Sequence, residues 1–202
     1  TSLQDTGWNN GLRHWQEWRR LVECGAAMCR VSVLMGIDSL EELREAGLST
    51  GTGDSRLRIG GIKLALDEST RCDAPPQDDL NRQALRAARA GFGVALHVSD
   101  VPMLEGALAA IRYVSRQLPE AAGSFRLEHC TGCPPALLLK IKACRAIVVT
   151  QPAFLRHMGQ PYLERALPEQ AGWFQPLGSF RRWGARVALS SDAPLVSCNP
   201  WI

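Results

Sequence analysis

Five side chains in this sequence have types and positions that suit metal-assisted chemistry. His97 ends the run Gly93-Val94-Ala95-Leu96, and His129 follows Phe125-Arg126-Leu127-Glu128. Gln151 ends Ile147-Val148-Val149-Thr150, Asp192 follows Val187-Ala188-Leu189-Ser190-Ser191, and Lys63 sits between Ile62 and Leu64. Imidazoles, a carboxylate and a lysine modified to an anion suit a divalent metal such as zinc, and an aspartate beside a metal-bound water suits proton transfer. Each residue also has a plainer reading. A lone histidine at a strand end is more often a satisfied structural residue than a ligand. Asp192-Ala193-Pro194 reads as an Asx turn before proline, and Lys63 as a side chain snorkelling to the surface from an edge strand. The joint pattern weighs against these readings. Two of four histidines, one of three lysines and an aspartate fall at successive or near-successive strand ends. His14 and His157 lie in helix- or loop-like contexts and read as surface residues.

The elements that must position these residues follow a repeating pattern of a short apolar run, turn residues and a longer amphipathic segment. The runs span 29–35, 57–66, 93–97, 125–129, 146–150 and 186–190, and several are almost continuously apolar, as strands covered on both faces are. Helix signals lie between them. Ser39-x-x-Glu42 is a capping box opening 40–46, with Gly47 as the stop. Asp78 and Asp79 cap 80–90, which closes at Gly91. Asp100 precedes a helix over 101–118 with Pro102 in its first turn. Pro134 and Pro135 open another, and Pro176 opens a short one ending at Gly184. Such alternation predicts right-handed crossovers and a parallel α/β sheet. Periodicity alone does not separate a doubly wound sheet from a (β/α)8 barrel. In a parallel barrel the strand ends named above all open on one face, where ligand sites are built. Gly51-Thr52-Gly53 and Gly60-Gly61 lie before a strand rather than after one and read as loop, which excludes a dinucleotide fingerprint.

Composition narrows the classes further. The 202 residues are 46% hydrophobic and 21% charged, with 18 Gly and 12 Pro scattered without period, so collagen-like and disordered classes are excluded. A net charge of +3, well mixed, lacks the basic stripe of a nucleic-acid binder. Twenty arginines stand against three lysines (Lys63, Lys140, Lys142), so a lysine inside an apolar run invites a chemical question. Seven cysteines without regular spacing read as reduced thiols in a cytoplasmic protein. Cys130-x-x-Cys133 is half of a zinc knuckle with no second pair at ligand spacing. No run of 18 apolar residues and no leader pattern are present, so neither a membrane partner nor a signal peptide is expected.

The ordered motifs Gly61-Ile62-Lys63-Leu64-Ala65-Leu66-Asp67, Ala95-Leu96-His97-Val98-Ser99-Asp100, Leu127-Glu128-His129, Gln151-Pro152 and Ser190-Ser191-Asp192-Ala193-Pro194 resemble the amidohydrolase superfamily. The branch that includes N-substituted formamide deformylases is the most similar, and residues 1–8 resemble it at its second barrel strand. The resemblance covers nearly the whole chain. It implies a (β/α)8 TIM-type barrel in one domain, 1–202, with one or two divalent metals, usually zinc. It makes Lys63 the fourth-strand lysine, which carboxylation turns into a metal bridge, and His97 and His129 the fifth- and sixth-strand ligands. Asp192 becomes the eighth-strand aspartate at the metal site, which takes a proton from water and returns it to the leaving amine. Gln151 is expected to line the substrate pocket.

Departures accompany the resemblance. No His-x-His pair of the first family strand is present, so at most one metal is expected. The segment 67–72 after Lys63 is shorter and less Gly-rich than the family's, and Ala193 stands where Trp is common. The first strand and final helix are expected to lie outside this chain, leaving an incomplete barrel. A homo-oligomer partner or the remainder of a longer chain is expected to cover its open edge. The leading expectation is a hydrolase cleaving a non-peptide C–N bond of a small-molecule amide or formamide. A non-catalytic barrel remnant and a metal-free Lys63 Schiff-base aldolase are the alternatives.

Overall fold

The continuous apolar runs become the strands of one parallel sheet. The computed structural model describes residues 2–65 and 76–197. Seven strands, β1 (Ser2–Asp5), β2 (Arg30–Gly36), β3 (Leu57–Leu64), β4 (Val94–Val98), β5 (Phe125–His129), β6 (Ile147–Thr150) and β7 (Arg186–Leu189), pair in sequence order. Every neighbouring pair is parallel. The helices α1 (Leu12–Glu23), α2 (Leu40–Glu45), α3 (Gln77–Arg89), α4 (Val101–Gln117), α5 (Pro135–Ala143), α6 (Ala153–Leu163) and α7 (Leu177–Arg182) alternate with them. This is an incomplete barrel of the (β/α)8 type, with β1 and β7 as its two edges. Among the described residues no helix is long and apolar enough to cross a membrane.

One side-chain contact shows how strongly the sheet curls. Arg126 Nη1 of β5 donates to Gln4 Oε1 of β1 at 2.6 Å. In a flat sheet those strands would stand about 19 Å apart, four spacings of roughly 4.8 Å. The curl gives the sheet an inner face, lined by Gln4, Lys63, His97, Arg126 and Glu128, and an outer face that packs on helices. The outer core gathers Val31, Val33 and Met35 of β2, Ile62 and Leu64 of β3, Phe125 and Leu127 of β5, and the apolar sides of α3 and α4. Buried charge on the inner face is compensated. Arg126 Nε and Glu128 Oε1 face each other at 2.7 Å as an ion pair, although outside hydrogen-bonding alignment.

Several local expectations hold and others are corrected. Asp100 caps α4, its Oδ1 accepting from Met103 N at 2.8 Å, with Pro102 in the first turn. Ser39 does not cap α2, because a 3₁₀ turn, Ile37–Ser39, already precedes the helix. Its hydroxyl instead donates to Gly36 O at 2.7 Å and Asn10 O at 3.3 Å. Asp78 and Asp79 sit inside the first turn of α3, since the helix starts at Gln77 behind Pro76. There they complement the helix dipole rather than cap it. Helix α1, which no capping signal announces, packs Trp15 into the core. Gly60 and Gly61 are not loop but lie inside β3. Gly60 is an extra residue, the register passing from Val33↔Ile59 to Leu34↔Gly61. Gly61 has φ 146°, and a Cβ there would meet Gly93 O at 2.5 Å, so only glycine fits. Position 66, the segment 67–72, Cys198 and residues 199–202 lie outside the described residues.

Candidate metal centre

Parallel pairing brings the ends of β4 and β5 side by side, with His97 opposite Glu128 and Val98 opposite His129. The two imidazole centroids lie 4.5 Å apart, edge to face at 63°. Phe154, from α6, stacks nearly parallel to His129 at 6.3 Å. His129 itself has φ 70° and Cys130 φ 49°, so the chain turns sharply as it leaves β5. That turn is pinned by Thr131 N donating to Val98 O, Cys133 N to Trp173 O and Gln175 N to Thr131 O. Cys130 and Cys133 are free, fully buried thiols; Cys133 Sγ donates to Pro134 O at 3.8 Å, and the neighbouring Cys133 together with burial pushes the Cys130 pKa up. They carry neither a disulfide nor the geometry of a zinc knuckle.

Gln151 fixes the state of His129. The His129 Nδ1 lies 3.0 Å from Gln151 Oε1, while Gln151 Nε2 donates to Ser190 Oγ at 2.8 Å and reaches Val149 O at 3.4 Å. A carbonyl oxygen only accepts, so this arrangement assigns the proton to Nδ1 and leaves the Nε2 lone pair for a ligand. Burial depresses the His129 pKa, the Lys63 charge adds to that, and Asp192 opposes both. The ring is therefore neutral near pH 7, as a metal ligand must be. Gln151, expected along the substrate pocket, is only 2% exposed, and protein groups occupy its amide at both ends.

Asp192 and Lys63 complete the cluster. The Asp192 carboxylate lies 3.9 Å from His129 Nδ1. Its backbone is left-handed at φ 60°, but the side chain does not close an Asx turn; Ser191 Oγ accepts from Ala193 N at 3.3 Å instead. Lys63 is 5% exposed on a strand with neighbours on both sides, so it does not snorkel from an edge. His97 Nε2 lies 2.7 Å from Ser99 Oγ. The two serines that contact the site, Ser99 and Ser190, each stand one residue beyond a strand end. That position is their only sequence signal. His14 is half-buried in the first turn of α1, where Nδ1 accepts from Gly11 N at 3.2 Å, and His157 is exposed.

Two neutral-capable imidazoles and a carboxylate are the donor types a divalent cation takes. Among the described residues, however, no three His, Cys, Asp or Glu side chains converge as a metal-holding group. A carboxylated Lys63 would add an oxygen donor to these groups. In donor type, the residues fit a divalent cation.

A curled parallel sheet with histidines, lysine and aspartate at its carboxyl ends defines a barrel protein with a metal-suited site. The chain belongs to the amidohydrolase family, whose model matches residues 4–202. It is similar in structure to an uncharacterized metal-dependent hydrolase from Pyrococcus furiosus, with TM-score 0.81 and 23% identity over 97% of this chain and 44% of that one. A metal-dependent hydrolase from Pyrococcus horikoshii OT3 gives TM-score 0.78 and 20% identity, over 97% and 42%. Atrazine chlorohydrolase TrzN from Arthrobacter aurescens TC1, solved with zinc, gives 0.54 and 11%, over 94% and 44%. This chain therefore spans less than half the length of these solved proteins. No curated protein matches it.

Proposed function

We propose that this chain carries the barrel portion of a metal-dependent hydrolase acting on a non-peptide C–N bond, with an amide or formamide as substrate. The observation that carries the reading is the packing of His97 against His129, with the Asp192 carboxylate 3.9 Å from His129. His97, His129 and carboxylated Lys63 would hold a divalent cation, zinc by donor preference, with Asp192 beside it. When bound, the cation supplies a Lewis acid and acidifies a water toward neutrality. Asp192 takes the proton from the attacking water and delivers it to the departing amine nitrogen. Gln151 is a positioning residue that holds the His129 tautomer through Nδ1. Family membership favours this reading over the Lys63 Schiff-base aldolase.

The test is hydrolysis of a panel of N-substituted formamides and amides by zinc-supplemented protein, followed by amine release. Asp192→Asn is expected to lower the rate at least about a hundredfold, the scale of general acid–base catalysis. Elemental analysis should give no more than one zinc per chain, and none after His97→Ala and His129→Ala. Full activity in the Asp192→Asn protein overturns the proton-transfer role. Zinc content unchanged by loss of both histidines overturns the site.

A further inference from the structure

At the opposite, amino-terminal end of the sheet, beside the starts of β6 and β7, lies a concavity of about 190 Å³. Lys142, Arg145, Ala146, Gly184 and Arg186 line it, and no acidic side chain does. Three of the five residues are cationic. Gly184, at φ 70°, lies against the Lys142 side chain; a Cβ there would sit 3.6 Å from Nζ, in ordinary van der Waals contact. The Arg186 guanidinium donates to the carbonyls of Arg145 and Gly123, the latter at 3.4 Å, which fixes the fork at the cavity wall. Among the described residues no carboxylate pairs with Lys142, Arg145 or Arg186.

The plainest role for these cations is to complement helix carboxyl ends. Lys142 lies in the last turn of α5, and Gly184 follows α7. That role is too small for the charge present. Each helix terminus is equivalent to about −0.5, so two ends offset roughly one of three positive charges. The terminal carbonyls are also satisfied already: Cys144 N donates to Lys140 O, Arg145 N to Lys142 O and Gly184 N to Arg181 O. Lys142, Arg145 and Arg186 are solvent-exposed, so water screens their mutual repulsion. About two net positive charges still converge on one concavity and give it a positive potential that an anion would lower. The volume corresponds to roughly six waters at about 30 Å³ each, room for a tetrahedral oxyanion and part of its hydration.

We propose that this cavity binds a small dianion of the phosphate class, held by Lys142, Arg145 and the outward N–H groups of Arg186. Arginine forks match the oxygen spacing of phosphate, and a lysine adds a mobile point charge. The site lies on the face opposite the histidine cluster and is independent of the hydrolase reading.

Calorimetric titration of the 202-residue chain with inorganic phosphate tests it. Binding of one phosphate per chain is expected, with Kd of about 1 mM or tighter at low ionic strength. Lys142→Gln combined with Arg145→Asn should weaken it at least tenfold while the denaturation midpoint holds. Asparagine is chosen because Arg145 has φ 55°. If the double variant does not fold, Lys142→Gln alone carries the test with at least a threefold loss. A parallel titration with phenyl phosphate separates the sources: equal affinity assigns a phosphate group on a larger ligand, and binding of inorganic phosphate alone assigns the free ion. A wild-type Kd above about 10 mM, an unchanged Kd in the folded variants, or equal displacement by chloride overturns the proposal.

Discussion

Strands β5 and β7 bring His129 and Asp192 to within 3.9 Å, yet they are held by different means. β5 lies inside the sheet, with Phe125 and Leu127 fully buried on its outer face and the Arg126–Glu128 ion pair on its inner face. β7 is exposed along its length, with Val187 39% and Leu189 66% accessible, and has a partner on one side only. His129 thus inherits its position from packing that costs kilocalories to disturb. Asp192 depends on backbone bonds to β6 and on a local turn, in which Ser191 and Leu195 N make the closing hydrogen bonds. The difference teaches that, within this chain, the position of His129 is pre-organised, whereas Asp192 sits beside an exposed edge strand at the low-stability end of the fold.

The strongest test of this contrast is Phe125→Ala. Removing a fully buried phenyl ring should destabilise the chain by about 3–5 kcal/mol in urea denaturation. A loss below about 1 kcal/mol would show that β5 is not the rigid member.

A second test uses the other edge. β1 is exposed like β7, but Asp5 ties it down by accepting from Trp18 Nε1 at 2.8 Å, Asn10 Nδ2 at 2.9 Å and Gly7 N at 3.0 Å. Burial works against its ionisation, but these hydrogen bonds prevail and hold its pKa below the ordinary value. The folded state therefore binds this proton less readily than the unfolded chain. The resulting stability is complete above about pH 3.9 and is lost as pH falls through the depressed value. Asp5→Asn should cost about 1–2 kcal/mol at neutral pH and flatten acid denaturation in that window. An unchanged acid profile would mean that β1 is no better anchored than β7.

Amide exchange sharpens the contrast at the backbone. The β7 amides that bond to β6 should open at a free energy at least about 1.4 kcal/mol below those of β5, a tenfold difference in protection. Equal protection would mean that the two strands belong to one cooperative unit. The smallest effect expected is that of Val187→Ala, about 0.5 kcal/mol in denaturation, since this edge-strand side chain is already 39% accessible.

Much of this arrangement is legible in the sequence. Apolar residues mark β2 to β7 within a residue or two because the face turned to the helices must be apolar, and the polar residue closing each run marks the carboxyl end. His97, His129, Gln151 and Asp192 were readable for that reason. The hydrogen bond from Gln151 to Ser190 was not, because it joins residues 39 positions apart. Helix α1 carries its apolar residues, Leu12, Trp15, Trp18 and Val22, at helical spacing but has no capping side chain at Gly11 to announce it. The basic cavity is invisible locally, since Lys142 and Arg186 meet only through the pairing of β6 with β7.

The glycine pair inside β3 acts as a phase shifter. Leu57 and Ile59 precede the extra residue, Ile62 and Leu64 follow it, and all four join the same outer core. Odd positions face the helices before the bulge, and even positions do so after it. Lys63 shares parity with Leu57 and Ile59, so an uninterrupted strand would drive its ammonium into the apolar helix layer. The extra residue turns it instead to the inner face, beside Ala95 in the register that leads to His97. Deleting one glycine would leave every chemistry-bearing residue in the sequence while removing one of them from the site. The aim of Lys63 is thus set by a residue that has no side chain.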